Sequence, residues 1–342
     1  MRAGIVRSSE LGDFVRECDN RGGPQHPNCV EFIRDFKLQF DTLVDQSIDP
    51  FSEAYVAQQV ALYEELALRK LNQDDGEQAA VGIEERVNTP NPYGHAHTAF
   101  LAKHSRAVLS ALMAANVPPA AKILDMGSGW GLSSEIMAFC GVEVTAVDIN
   151  PDFIELNRRR AERLGLPIKA FHSTFDEFET AERFDAALFY ECLHHAVRPW
   201  TAIKRVGSLL KPGGKVVFTG EPINDNWKNW GLRTDPLAVY CIHKFGWFES
   251  GWSMSFLHSA FDRAGFRLSI AQGVGTDNGP IGVAVRKDEA DGHDFTIAAP
   301  YMTALSQLHE ALGRRPSARR PTAVLAALRR IAVAPVSRFL RP

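Results

Sequence analysis

No stretch of this 342-residue sequence approaches the ~18 consecutive apolar residues that a membrane-spanning helix needs. Cysteine is scarce: the five, at positions 18, 29, 140, 192 and 241, are scattered and odd in number, which argues against a disulfide framework. With no secretory leader at the N-terminus, the expected compartment is a reducing cytoplasm. Cys140 and Cys192 lie in apolar stretches and read as small buried hydrophobes. Cys18, His26 and Cys29 are near neighbours, but their spacing fits no zinc pattern and a fourth ligand is missing. Acidic residues are absent from Gly313 to Pro342, where eight arginines stand. Removing those eight charges from the net −3 leaves −11 on the rest, an acidic body with a basic tail. Such a body disfavours nucleic acid as a partner.

What is present is a change of texture along the chain. Residues 31–71 place apolar side chains at three- and four-residue spacing, broken at Asp49-Pro50, and read as helical. "NTPNPYGHAH" (88–97) is a Pro/Gly/Asn turn, and 97–115 is helical again. From residue 121, short apolar runs alternate with helical segments: "AKILDMG", "EVTAVD", "PIKAFH", "FDAALFY" and "GKVVFTG" are strands. Such alternation implies a parallel sheet with helices on both faces. The strands "FRLSIAQ" and "GPIGVAVR" have no helix between them and should pair antiparallel. The expectation is an α/β, Rossmann-like, seven-stranded, mostly parallel sheet with an antiparallel last strand and a helical N-terminal extension. Three regions follow: 1–116 as extension and cofactor cap, 117–290 as core with an irregular insert at about 221–251, and 291–342 as a C-terminal helix and basic tail.

"ILDMGSGWGLSS" (123–134) carries the chemistry. It is an apolar strand, a turn with Gly127, Gly129 and Gly131, then a helix start, the place where polar or anionic groups bind. The spacing departs from G-x-G-x-x-G, and no phosphate-binding lysine follows. Asp125, just before the turn, would repel a pyrophosphate and attract an amino group. That suits a cofactor with an amino-acid end.

The segment resembles motif I of class I S-adenosylmethionine-dependent methyltransferases, and further motifs follow in order. "VTAVDIN" puts Asp148 at the end of the second strand, "FDAALFYECLHHAVRP" resembles the fourth strand and its loop, and "LLKPGGKVVFTGEP" resembles the turn before the fifth. The resemblance covers about 121–286. It implies S-adenosylmethionine as cofactor, with Asp125, Gly127, Ser128, Gly129 and Gly131 at the methionine end. It also implies Asp148, followed by Ile149, at the ribose hydroxyls, where a carboxylate accepts two hydrogen bonds from a vicinal diol. The acid that many members place after the third strand is missing. Thr174 stands nearest that place with Phe175 beside it, and Asp176 falls two positions late. Glu191 is expected close to the cofactor. Tyr93, with His95 and His97, reads equally as part of a cofactor cap or as an ordinary helix-entry loop.

Methyl transfer to a hydroxyl needs an in-line acceptor and a base. His194, His195 and Glu221 stand at the carboxyl ends of the fourth and fifth strands and are the candidate bases. The stretch from Glu221 to Trp252 holds four of the six tryptophans. Trp227, Trp230, Arg233, Tyr240 and Trp247 are candidate acceptor contacts, because aromatic faces mixed with polar groups suit a ring bearing hydroxyls. The same mixture describes a second hydrophobic cluster under a lid. The expected reaction is O-methylation of a sugar hydroxyl on a nucleotide-sugar or glycan, in keeping with a resemblance to methyltransferases found with bacterial surface-polysaccharide biosynthesis. The alternatives are a small aromatic or polyketide-like acceptor, or a non-catalytic cofactor-binding protein. No N-P-P-Y or Pro-Cys motif follows the fourth strand, which speaks against amide, adenine and cytosine methylation. No acidic metal triad is legible, so no metal is expected. The tail interleaves arginine with apolar residues, as a segment at an anionic membrane surface would, and as a solvated tail also can.

Overall fold

The computed structural model describes residues 3–72, 81–94, 98–118, 120–271 and 279–292. The expected C-terminal helix and basic tail, and His95 and His97, lie outside these residues.

The chain opens with strand β1 (Ile5–Arg7), helices α1 (Leu11–Asn20) and α2 (Pro27–Ile33), strand β2 (Lys37–Gln39) and helix α3 (Glu53–Ala67). Residues 34–48 are not the helix their spacing suggests. β2 pairs in parallel with β1, and the chain beyond it is irregular up to Ser52, whose side chain caps α3. Helices α4 (Ile83–Val87) and α5 (Thr98–Ala114) follow. The core then alternates: β3 (Lys122–Met126), α6 (Leu132–Phe139), β4 (Glu143–Asp148), α7 (Pro151–Leu164), β5 (Ile168–His172), β6 (Phe184–Tyr190), α8 (Pro199–Ser208) and β7 (Leu210–Thr219). The insert carries β8 (Trp230–Leu232), α9 (Pro236–Phe245) and β9 (Ser250–Trp252), and α10 (Met254–Arg263), β10 (Phe266–Ile270) and β11 (Gly282–Arg286) complete the fold.

The main sheet has seven strands in the order β10-β11-β7-β6-β3-β4-β5. β11 runs antiparallel to both β7 and β10, and the remaining pairs are parallel. This is the expected Rossmann-like arrangement. Alternate residues of the central strands feed two cores, as a period of two requires. Leu124, Met126, Phe189 and Phe218 face one side, and Ile123, Val144, Leu188 and Val217 face the other. Local chemistry sets the helix ends: Asn150 accepts from the Asp152 N–H with Pro151 behind it, and Gly165 closes α7 in the left-handed conformation.

Two boundaries differ from expectation. α5 packs on the sheet, since Val108, Ala111 and Ala114 share a core with Ile123 and Val217. It belongs to the core and not to the extension. The insert is not irregular: β8 and β9 pair antiparallel, and α9 begins at an Asp235-Pro236 cap. Insert and extension form one layer. Tyr55 and Tyr63 of α3 donate to the carbonyls of Trp230 (2.5 Å) and Gly246 (2.6 Å). Gln59 accepts the Leu232 N–H (2.8 Å), and the Trp230 indole donates to the Pro50 carbonyl (2.8 Å).

Candidate active site

Between β3 and α6 the chain turns through Gly127, Ser128, Gly129, Trp130 and Gly131. Gly127 has φ +67°, and a Cβ there would lie 2.7 Å from Cys192 Cβ, so the turn approaches the loop after β6 as only glycine can. At Gly131 (φ +87°) a Cβ would lie 1.6 Å from Asn157 Oδ1. Asn157 in turn donates to Ser128 Oγ and the Gly129 carbonyl, both at 3.1 Å, tying the turn to α7.

Asp148 ends β4. Its Oδ2 accepts the Gly129 N–H (2.7 Å) and its Oδ1 the Asn150 N–H (2.9 Å). A carboxylate has about four acceptor positions, so room remains for outside donors. Burial raises the Asp148 carboxyl to about 6, against the pull of the backbone N–H groups of Asn150, Gly129 and Ile149.

A cavity of about 300 Å³ opens over this turn. Gly127, Ser128, Gly129, Asp148, Ile149, Thr174, Phe175, Glu191 and Tyr93 all line it. Tyr93 sits in a ring cluster with Phe100, His104 and Trp130, and Arg86 lies 4.1 Å over the Trp130 ring. Burial raises the Tyr93 phenol, with the Glu191 charge adding to it. The loop carrying Tyr93 is held by the fully buried Arg160. This residue pairs with Glu135 through Nε (2.5 Å) and donates to the carbonyls of Arg86 (2.7 Å) and Thr89 (3.0 Å).

Several expected contacts are elsewhere. Asp125 does not line the cavity: its Oδ2 accepts from Ser133 Oγ (2.7 Å) and Ser134 Oγ (2.6 Å), bracing the start of α6. Its Oδ1 is buried without a partner among the described residues, and burial raises the carboxyl to about 6. Gly131 likewise serves packing against Asn157. Of the five insert residues expected to contact the acceptor, only Trp247 faces the cavity. Trp227 and Trp230 lie in a second cleft against α3, Tyr240 donates to Asp19 (2.5 Å), and Arg233 pairs with Asp235 and Glu249. These four side chains bind the roof together, which is the hydrophobic-cluster alternative. Asp176, set aside as too late in sequence, does line the cavity beside Thr174, as do Asn72, Trp130, Phe153 and Phe248. Trp130 stood inside the glycine turn and could have been read there. Nothing in the sequence marks Asn72.

His195 lines the cavity, and His194 and Glu221 do not. Glu221 is fully buried and accepts from the backbone N–H groups of Cys192 (3.2 Å), Leu193 (3.0 Å) and His194 (3.0 Å). It also faces His194 Nδ1 at 3.0 Å. A carboxylate with four protein donors is an anchor for this turn, not a base open to an acceptor. Burial alone would depress the His194 imidazole. The Glu221 carboxylate, with Glu249 behind it at 3.6 Å, outweighs burial and holds it above its ordinary value. His195 Nδ1 lies 3.2 Å from the Phe248 carbonyl. Burial, and then His194, push the His195 imidazole down to about 4. Cys18 and Cys29 are buried and touch each other, but His26 is spent as the cap of α2, so no metal cluster forms there.

Residues 123–214 match the family described as "Methyltransferase domain". The stretch from β3 into β7 is thus similar to a methyltransferase domain. The chain is 35% identical over 111 residues to the ubiquinone biosynthesis O-methyltransferase of Proteus mirabilis, covering 32% of this chain and 44% of that one. The same enzyme of Xanthomonas axonopodis pv. citri is 38% identical over 104 residues, covering 30% and 44%. This chain therefore spans less than half the length of either relative. Among solved structures, the 1,6-didemethyltoxoflavin-N1-methyltransferase of Burkholderia thailandensis aligns with a TM-score of 0.42 at 21% identity, over 56% of this chain and 81% of that one. The CcbJ methyltransferase of Streptomyces caelestis aligns at 0.44 and 16%, over 63% and 99%. The residues around the cavity fit the cofactor: Asp148 has acceptor positions to spare, and at Gly129, which lines the cavity, a Cβ would meet nothing within 4 Å, so the backbone there lies open to a ligand. No helix among the described residues is long and apolar enough to cross a membrane.

Proposed function

We propose that this chain is an S-adenosylmethionine-dependent O-methyltransferase whose acceptor is a compact, ring-bearing molecule with a phenol-like hydroxyl, and that His195 is its base. The cofactor supplies an electrophilic methyl group on a sulfonium. In this reading Asp148 accepts the two ribose hydroxyls, Thr174, Phe175 and Asp176 surround the base, and Glu191 and Tyr93 close the methyl-donor end. The observation that carries the reading is the position of His195. It stands on the cavity wall with Trp247 and Phe248, its Nδ1 held by a carbonyl. A carbonyl can only accept, so Nδ1 carries the proton and Nε2 offers a lone pair to a hydroxyl. Trp247 and Phe248 supply ring faces. The two relatives named above are O-methyltransferases, in keeping with a hydroxyl acceptor.

The sugar and glycan reading has lost most of its carriers, because Trp227, Trp230, Arg233 and Tyr240 point away from the cavity. One screen separates the two. Full-length protein is offered phenols and catechols, and separately nucleotide-sugars and oligosaccharides, and release of S-adenosylhomocysteine is measured. Turnover on phenols, falling about 10²-fold or more in His195→Ala, is expected for a lost general base. Turnover confined to sugars, or a fully active His195→Ala, overturns the proposal.

A further inference from the structure

The geometry points to a binding site for one divalent transition cation of the zinc class, formed by His194, His195 and Glu249 at the acceptor end of the cavity. One ring nitrogen from each histidine and one carboxylate oxygen of Glu249 lie within 4.8 Å of one another. The outer partners fix which nitrogen of each ring carries the lone pair. His194 Nδ1 faces a carboxylate at 3.0 Å and His195 Nδ1 a carbonyl at 3.2 Å, so both must donate there. In each neutral ring the lone pair is then on Nε2. His194 Nε2 stands 3.6 Å from Glu249 Oε2, acceptor against acceptor. A proton on Nε2, or a cation between them, removes that opposition.

The outer partners match those of known metal histidines, in which a carboxylate or carbonyl behind the ring fixes the metal-binding tautomer. Here Glu221 and the Phe248 carbonyl do so. Ligand atoms on bonds of ~2.0–2.1 Å sit ~3.3–3.5 Å apart in a tetrahedron, so the His194–Glu249 separation is nearly right and the third corner must close by about 1 Å. Two imidazoles and one carboxylate favour Zn²⁺, Co²⁺ or Mn²⁺ over the all-oxygen sites of Mg²⁺ and Ca²⁺. Arg233 Nη1 lies 3.4 Å from the same Glu249 oxygen, which opposes a cation. Arg233 also pairs with Asp235 at 2.8 Å, so it keeps a partner when a cation takes Glu249. The ligands come from the turn after β6 and from the residue before β9, and of the three only His195 lines the cavity. A dication held there would polarise a hydroxyl brought to its open position.

Binding can be read without turnover, so the cation is tested apart from methyl transfer; because His195 Nε2 has one lone pair, a bound cation takes the place of the proposed base there and would itself activate the hydroxyl. Full-length protein is stripped with a chelator, then titrated with CoCl₂ by visible absorption and with ZnCl₂ by calorimetry. One equivalent should bind with a Kd of about 10 µM or tighter. Both Glu249→Gln and His195→Ala should weaken it tenfold or more, and Zn²⁺ should raise the Tm of the wild type but not of these variants. Having two variants at two elements keeps the test open if one fails to fold. Absence of stoichiometric binding at about 100 µM cation, or equal binding by wild type and a folded variant, overturns the site. Stripped protein that still methylates a phenol leaves the O-methyltransferase reading intact while the titration alone decides the cation.

Discussion

Replacing Glu221 by glutamine tests whether this residue holds the turn after β6 or does chemistry. The carboxylate accepts four hydrogen bonds, three from backbone N–H groups and one from His194 Nδ1, each at 3.0–3.2 Å. An amide has one oxygen. With that oxygen in the Oε1 place, its NH₂ opposes both His194 donors; turned over, it opposes Cys192 and Leu193. Two of the four donors lose their acceptor either way, and His194 recovers one only by shifting its proton to Nε2. Hydrogen bonds to a charged group are worth about 1.5–3 kcal/mol each, so the variant should lose about 3 kcal/mol or more. At an m value of about 2–3 kcal/mol/M, the urea midpoint falls by about 1 M or more. S-adenosylmethionine affinity should fall with it, because Cys192 packs on Gly127. A midpoint unchanged within about 0.2 M, together with methyl transfer lost by about 10³-fold, would refute this and make Glu221 a catalytic group.

Arg160→Met should destabilise by about 3–5 kcal/mol in denaturant unfolding, since it leaves the Glu135 carboxylate without its partner, while the Arg86 and Thr89 carbonyls keep donors in Thr89 Oγ1 and Arg163; Arg160→Met with Glu135→Met should recover part of it. Failure of the double variant to improve on the single one would contradict the pairing. Asp148 gives a pH signature. Its folded value of about 6 lies above the ordinary 3.8. Its contribution to the stability of the free protein is therefore fully present below about pH 4 and lost as pH rises through about 6. Cofactor affinity runs the other way: calorimetry should show it weakening below about pH 6, toward tenfold per unit, because the protonated acid offers fewer acceptors. An affinity flat from pH 5 to 7 would remove Asp148 from the ribose.

The core was legible because strand–helix alternation and the glycine turn are local signals, and each places its residues without help from distant chain. Gly127, Asp148 and Phe175 reach the cavity for that reason. The roof was not legible. Trp227, Trp230 and Tyr240 have the composition of a binding loop, but their partners are α1, α3 and the chain between β2 and α3, about two hundred positions away, and no periodicity announces such a meeting. Glu249 was missed on the same ground: it becomes a neighbour of His194 only when β9 is seated. In 34–48 the half-buried apolar side chains Phe36, Leu38, Phe40 and Val44 fall at even positions, the period of an extended chain, and Leu43 between them, which completes a helix-like spacing, is exposed.

The joining of extension and insert has a consequence for synthesis. Tyr55, Gln59 and Tyr63 are completely or almost completely buried, and the groups they bond, Trp230, Leu232 and Gly246, lie some 175 residues later. On the ribosome α3 therefore waits with its inward face uncovered while the whole parallel sheet is made. Contacts of such sequence separation form late and slowly. A nascent chain halted before residue 230 has the glycine turn, Asp148 and both histidines, yet no roof. It is a species that a chaperone would meet through the bare side of α3, and one that could hold the methyl donor only in an open, water-filled cleft.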